Sequence, residues 1–330
     1  MIDKLFRGVS VPKLFWAIFL SILMYIPLFY STTVVPQRFS FWIITEFFAT
    51  IHAISPLFTA TLIFIGIFLH SLLIVFIGQK FLLLEHRTYL PMFLFLGVSL
   101  FYTGSPDFFG VLMSGTFVLL GINMIFQNTG YKVNILNMFN LGMLLLVAAL
   151  FFWQVIFVIP IFWVMTFFVN SFNIRSLAVV ILGFLVSSLL LLYGLIAFDK
   201  LEFFINTIHP LLVDYPSFIS YPRSFQIAIM IIGLTLVIGF LSEFFALQRK
   251  KIIVRKYFQA LNVLFLTSFV IAIFVPFVPL TFSYFGILSV IMGSTNLMLK
   301  VRMVRTRNFL FSLFVIGIIL FWISRFNLLG

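Results

Sequence analysis

The sequence predicts an all-α protein: a polytopic transmembrane helical bundle of about eleven spans, forming one integral membrane domain over residues 1–330. Composition is the first observation. Hydrophobic residues make up 63% of the chain and charged residues only 8%, with Phe at 49 positions. A soluble globular domain is about one quarter charged, and a surface this poor in ionisable groups would not stay dispersed in water. Segmentation is the second. Apolar runs of ~20 residues recur from end to end, each long enough to cross a ~30 Å hydrocarbon core as a helix. The ~10-residue alternating segments of a β-barrel do not occur, and hydrocarbon offers backbone groups no partner, so helices remain.

The expected spans are 14–30, 56–77, 89–102, 108–126, 135–152, 154–169, 176–197, 225–247, 261–275, 279–299 and 309–324. The first follows Lys4, Arg7 and Lys13 as a signal peptide's apolar region would. No small-x-small cleavage site follows Tyr30, so the run reads as a retained span. The third is shorter than a bilayer. Pro36, Gly104-Ser105-Pro106, Asn128-Thr129-Gly130, Pro210, Pro216 and Pro276 punctuate the joints. Residues 248–260, between spans eight and nine, read as a short helix lying on the membrane surface.

Charge then orients the layout. With the N-terminus cytoplasmic and the C-terminus periplasmic, 20 Lys and Arg divide very unevenly. All but Arg38, Lys200, Arg223 and Arg325 fall on the cytoplasmic side, as the positive-inside rule requires in a bacterial inner membrane. The net charge of +12 is therefore topogenic and lipid-facing, and no nucleic-acid partner is expected. The expected partners are membrane lipids, a polyprenyl-phosphate lipid among them.

Two outer loops, 31–55 and 199–224, are long enough to carry a site, and the remaining acids and His gather near them. In the first, residues 39–54 read as an interfacial helix on which Thr45, Glu46 and Thr50 share a side, with Arg38 and His52 nearby. A carboxylate held at a membrane surface is costly unless paired or used; Glu46 is either a functional acid or the partner of Arg38 or Arg223. The second loop carries Asp199, Glu202, His209, Asp214 and Arg223 among several Tyr and Phe, a set suited to a sugar or phosphate and equally to a headgroup boundary. Asp107 opens the fourth span, where an acid serves a helix dipole or cap as readily as a reaction. The candidate catalytic residues are thus Glu46, Asp107, Asp199 and His209, and the candidate substrate-binding residues Arg38, His52, Glu202, Asp214 and Arg223. His70, Asn137, Asn140, Gln154, Asn262 and Asn296 lie in or near spans and read as helix-bridging residues. Glu243 sits close enough to the cytoplasmic boundary to pair with Arg249 or Lys250.

Several chemistries are missing. The chain has no Cys, and no Walker A loop, dinucleotide fingerprint, G-x-S-x-G or H-E-x-x-H. Neither a cofactor nor a metal is expected. No pair of interrupted spans marks an inverted-repeat transporter, and no polar series lines a span as in a channel.

Three segments carry a resemblance: Leu84-Glu-His-Arg-Thr-Tyr-Leu-Pro-Met-Phe-Leu-Phe-Leu, Asn137-Met-Phe-Asn-Leu-Gly-Met-Leu, and Phe172-Asn-Ile-Arg-Ser-Leu-Ala-Val-Val-Ile-Leu-Gly-Phe184. Together they resemble an uncharacterised family of multi-spanning inner-membrane proteins of Bacteroidota, a domain of unknown function. The resemblance covers the middle third of the chain and implies a setting among enzymes that make polyprenyl-phosphate sugars. It supplies no catalytic residue. Two functions are accordingly expected. One is a glycosyltransferase-like enzyme handling a polyprenyl-linked sugar at the periplasmic face, with the acid in the first outer loop. The alternative is a non-enzymatic membrane subunit, a scaffold or lipid-translocating partner of an envelope complex.

Overall fold

The computed structural model describes residues 8, 10–30, 42–103, 105, 107–129, 134–169, 174–202, 205, 223–275, 278, 280–300 and 304–325. Twelve α-helices occur among them, and no strand. In chain order they are α1 (Val11–Tyr30), α2 (Trp42–Ile54), α3 (Pro56–Lys80), α4 (Leu90–Ser99), α5 (Phe108–Gln127) and α6 (Ile135–Phe151). Then come α7 (Val158–Val169), α8 (Ile174–Ala197), α9 (Arg223–Ala246), α10 (Ile252–Phe274), α11 (Ile287–Lys300) and α12 (Val304–Arg325). Short 3₁₀ turns extend α4, precede α7 and follow α9, and a longer one, Leu280–Gly286, leads into α11. Seven helical segments are long and apolar enough to cross a membrane, and four shorter apolar helices accompany them.

Local chemistry sets the joints. Ser55 separates α2 from α3: its hydroxyl accepts from the Phe58 N–H at 3.3 Å, and Pro56 occupies the first helical position, where its missing N–H costs nothing. Asn134 caps α6 by accepting from Leu136 and Asn137, while its own N–H donates to Asn128 Oδ1 at 2.9 Å. α3 closes with Leu82 in the left-handed region at φ 55°, so that Leu83 N–H reaches the Gly78 carbonyl at 2.9 Å.

One expectation is corrected here. Residues 248–260 do not form a separate surface helix. Leu247–Arg249 is a 3₁₀ turn, and α10 runs unbroken from Ile252 to Phe274. Its first turns bury Val254, Tyr257 and Phe258, and Tyr257 stacks on Phe126 at 4.3 Å. Arg255 and Lys256 remain half-exposed beside that buried stripe, so an amphipathic helix start was indistinguishable from a surface helix by charge alone.

The segment Thr281–Lys300 is the core of the bundle, with 94% of its apolar window buried. α4, α9 and α10 pack around it, and α12 packs chiefly on α9. At the periphery, α8 has only 22% of its window buried and packs extensively on α6 alone. That one contact is very close. A Cβ on Gly142 would strike the Val180 carbonyl, and a Cβ on Gly183 would strike that of Phe139, so both positions require glycine for the helices to meet.

Replacing Gly183 by Val is therefore expected to push α8 off α6, destabilising the protein by ~1–3 kcal/mol. Thermal melting in detergent checks this: the variant should melt below wild type, whereas Gly194→Ala, at a glycine with open space around it, should not.

Candidate functional site

Three polar regions occupy the bundle. The first is the corner formed by α2 and the start of α5. α2 turns Ile44 and Phe48 inward, and Phe48 meets Phe109 at 4.9 Å. Glu46 and Phe47 face outward, and the Thr50 hydroxyl donates to the Glu46 carbonyl at 2.9 Å. His52 is half-buried in the last turn. Asp107 occupies the N-cap of α5 and is 4% exposed, and its side chain makes no capping bond. The Phe48–Phe109 contact thus sets α2, which carries Glu46 and His52, against the start of α5, which Asp107 precedes.

The other expected residues do not join them. Asp199 ends α8 in the left-handed region at φ 53°, with its N–H on Ile196 and the Lys200 N–H on the Leu195 carbonyl. This is a helix-terminating cap, a conformation that Asp tolerates better than most side chains. Asp199 and the exposed Glu202 follow the end of α8, the helix that docks on α6. Arg223 is exposed at the start of α9. Arg38, His209 and Asp214 lie outside the described residues.

The second region is an ion network at the opposite end. Lys250, in the elbow between α9 and α10, pairs with Glu243 of α9 and lies 3.4 Å from Glu85 in the α3–α4 loop. Lys300, ending α11, reaches Glu85 at 3.4 Å as well. Asn296 ties these elements together: its amide nitrogen donates to Glu243 at 3.0 Å and to the Leu83 carbonyl at 2.8 Å, and its oxygen accepts from the Glu85 N–H at 3.2 Å. The Lys250 ammonium also sits 4.9 Å from the Phe258 ring. Two acids and two bases balance there, and the side chains of the Glu243–Lys250 pair are only 6% and 9% exposed. Burial opposes ionisation of Glu85, but attraction to Lys250 and Lys300 outweighs it and holds the carboxyl below its ordinary range. The Glu243–Lys250 pairing was readable from sequence, whereas Glu85 and Asn296 were too distant along the chain to be placed with them.

The third region lies inside the bundle. His70 of α3 stacks on Phe95 at 5.0 Å and touches Tyr284 of the 3₁₀ segment at 5.4 Å. Its Nδ1 is 3.3 Å from the Thr116 hydroxyl on α5. Tyr102 bonds Ser283 at 3.0 Å, and Tyr25 of α1 bonds Ser99 at 2.7 Å. Sequence reading took His70 for a bridging residue and missed the others; the polar run Thr281-Phe-Ser-Tyr284, within an otherwise apolar span, was the available signal. Among the described residues no group of His, Cys, Asp and Glu has the geometry to hold a metal.

No family model, curated protein or solved structure matches this chain. The likeness to the Bacteroidota family therefore rests on the segments quoted above.

Removing one member of the buried pair leaves the other charge stranded, at ~3–5 kcal/mol. Glu243→Gln is expected to lower the detergent melting temperature sharply, and Glu243→Met with Lys250→Met to recover most of the loss. The Glu85 contribution has a defined pH window. Its folded carboxyl is depressed below the ordinary 4.5, so its stabilisation is complete above that pH and is lost as the pH falls through the lower folded value. A melting series from neutral to acid pH should show that drop in wild type and a shallower one in Glu85→Gln.

Proposed function

We propose that this chain is an eleven-span protein of the bacterial inner membrane, N-terminus inside, that handles a polyprenyl-linked sugar at its outer face. α2 is the observation that carries the reading. It is a short apolar helix standing before the first long span-length helix, docked on the bundle by Phe48 and presenting the exposed Glu46 outward. That is the arrangement of an element lying in the headgroup plane over a lipid-borne substrate.

The span count follows from setting α2 in the interface and letting the other eleven helices cross. The contacts support this alternation, because they join residues it puts at the same level. Lys80, Glu85, Lys250 and Lys300 belong to one end, where Lys80 bonds Asn123 at 2.9 Å and the Gly8 N–H bonds the Arg87 carbonyl at 2.9 Å. Trp322 bonds the Met24 carbonyl at 3.1 Å toward the other. Fusions of a fluorescent reporter at residue 250 and a periplasm-dependent phosphatase at residue 200 should both be active. The reverse pattern would invert the topology and remove the periplasmic site.

In the reaction, an acceptor hydroxyl attacks the anomeric carbon of the donor. Glu46 takes the hydroxyl proton as the new glycosidic bond forms. The bond from the anomeric carbon to phosphate breaks, and polyprenyl phosphate leaves with the electron pair. Asp107 orients the acceptor from beneath. Asp199, which caps α8, has no part in this chemistry. General-base loss costs about 10²–10⁴ in rate, so Glu46→Gln should deplete an envelope glycan while leaving the protein folded and inserted. An unchanged glycan profile in that variant would sink the reading.

One feature favours the non-enzymatic alternative. α8 presents Leu182, Leu185, Leu189 and Leu190 outward while docking on a single neighbour, a face that suits a companion membrane protein as well as lipid. Co-purification of a stoichiometric second chain, lost on widening that face with polar substitutions, would move the assignment to a complex subunit.

A further inference from the structure

The cavity between α3, α5 and the 3₁₀ segment is small, about 10 Å³, and is lined by His70, Gly115 and Tyr284 with apolar neighbours such as Phe95, Ile74 and Leu288. Gly115 forms its floor: a Cβ there would come within 3.1 Å of the His70 ring and 3.0 Å of the Tyr284 ring. Its volume is at the threshold for a single water. The Tyr284 hydroxyl is buried and has no hydrogen-bond partner among the described residues, and an unmatched buried donor of this kind is costly.

Hydrogen-bond accounting at His70 fixes what the other side offers. The Thr116 hydroxyl has one proton, and it donates that proton to the Leu112 carbonyl at 3.1 Å. It can therefore only accept from His70, so the ring nitrogen facing it, Nδ1, carries the hydrogen. A neutral imidazole protonated at Nδ1 has a bare lone pair at Nε2. The cavity is thus lined by one residue with an unmatched hydroxyl, Tyr284, and by another, His70, whose second ring nitrogen is an acceptor.

We propose that this cavity is a binding site for one water molecule, which accepts from the Tyr284 hydroxyl and donates to His70 Nε2. The lining residues carry no formal charge, so the site takes a neutral ligand. The water joins α3 to the 3₁₀ segment through a floor that α5 supplies, and it places a solvated base deep within the bundle. The site stands apart from Glu46 and the outer-face reading, and its test does not depend on any activity.

The test is solid-state nitrogen NMR of the full chain in lipid bilayers with labelled histidine, in which His70→Gln identifies the His70 signals. The expected spectrum has Nδ1 protonated, Nε2 unprotonated, and a through-space contact from water protons to Nε2. Gly115→Ala, which fills the cavity, should abolish that contact. Tyr284→Phe, which removes the donor without adding bulk, should abolish or greatly weaken it while leaving the tautomer unchanged. The opposite tautomer, a wild-type His70 without the water contact, or a contact that survives Gly115→Ala would each overturn the proposal. Should Gly115→Ala fail to fold, the wild-type and Tyr284→Phe spectra decide it between them.

Discussion

Hydrocarbon supplies no hydrogen-bond partners, and nearly every polar feature of this chain follows from having to supply its own. Hydroxyls inside the helices bond back to carbonyls one turn earlier, as Thr267 does to Val263 and Thr235 to Ile231. Where the backbone departs from α geometry at Leu280–Gly286, it does so inside the bundle, shielded by α5 and α10. Such irregular backbone would be intolerable on a lipid-facing surface. The same constraint explains Asn296, fully buried, whose amide serves a carbonyl, a carboxylate and an N–H at once.

The two ends of the molecule solve the problem in different ways. At one end, loops and helix termini far apart in the chain are bound by opposed charges around Lys250, a short-range and strongly directional lock. At the other, the described contacts are chiefly aromatic, with Phe48 on Phe109 and Tyr102 on Phe108, plus a few hydroxyl bonds. Dispersion contacts between rings tolerate small displacements better than a buried ion pair does.

Much of the fold was legible because hydropathy and breakers act locally. Ser55-Pro56 ends α2 and starts α3 through bonds within one turn, and the apolar helix bearing Glu46 formed as its pattern indicated. The start of α10 was not legible. Arg255 and Lys256 mark a polar strip, but only tertiary packing of Tyr257 on Phe126 shows that the opposite strip is enclosed. The sites divide along the same line. Asp199 was readable as a residue near a helix end, yet its left-handed backbone, which identifies it as a cap, is a conformational fact. The His70 cluster depends on three helices and one 3₁₀ segment converging, and no spacing in one segment encodes that.

The enclosed segment Thr281–Lys300 has a bearing on biosynthesis. With a mean hydropathy of 1.4, it is the least apolar of the seven span-length helices, against 2.6 for α3 and α8. It carries Ser289, Ser294, Thr295 and Asn296, which lipid alone would not welcome. The groups that Ser289, Ser294 and Asn296 bond, on α10, on α9 and at Leu83, all precede it in the chain. When the ribosome delivers this segment its polar partners already stand in the membrane, so a helix too hydrophilic to insert easily by itself enters a groove prepared by what was made before it.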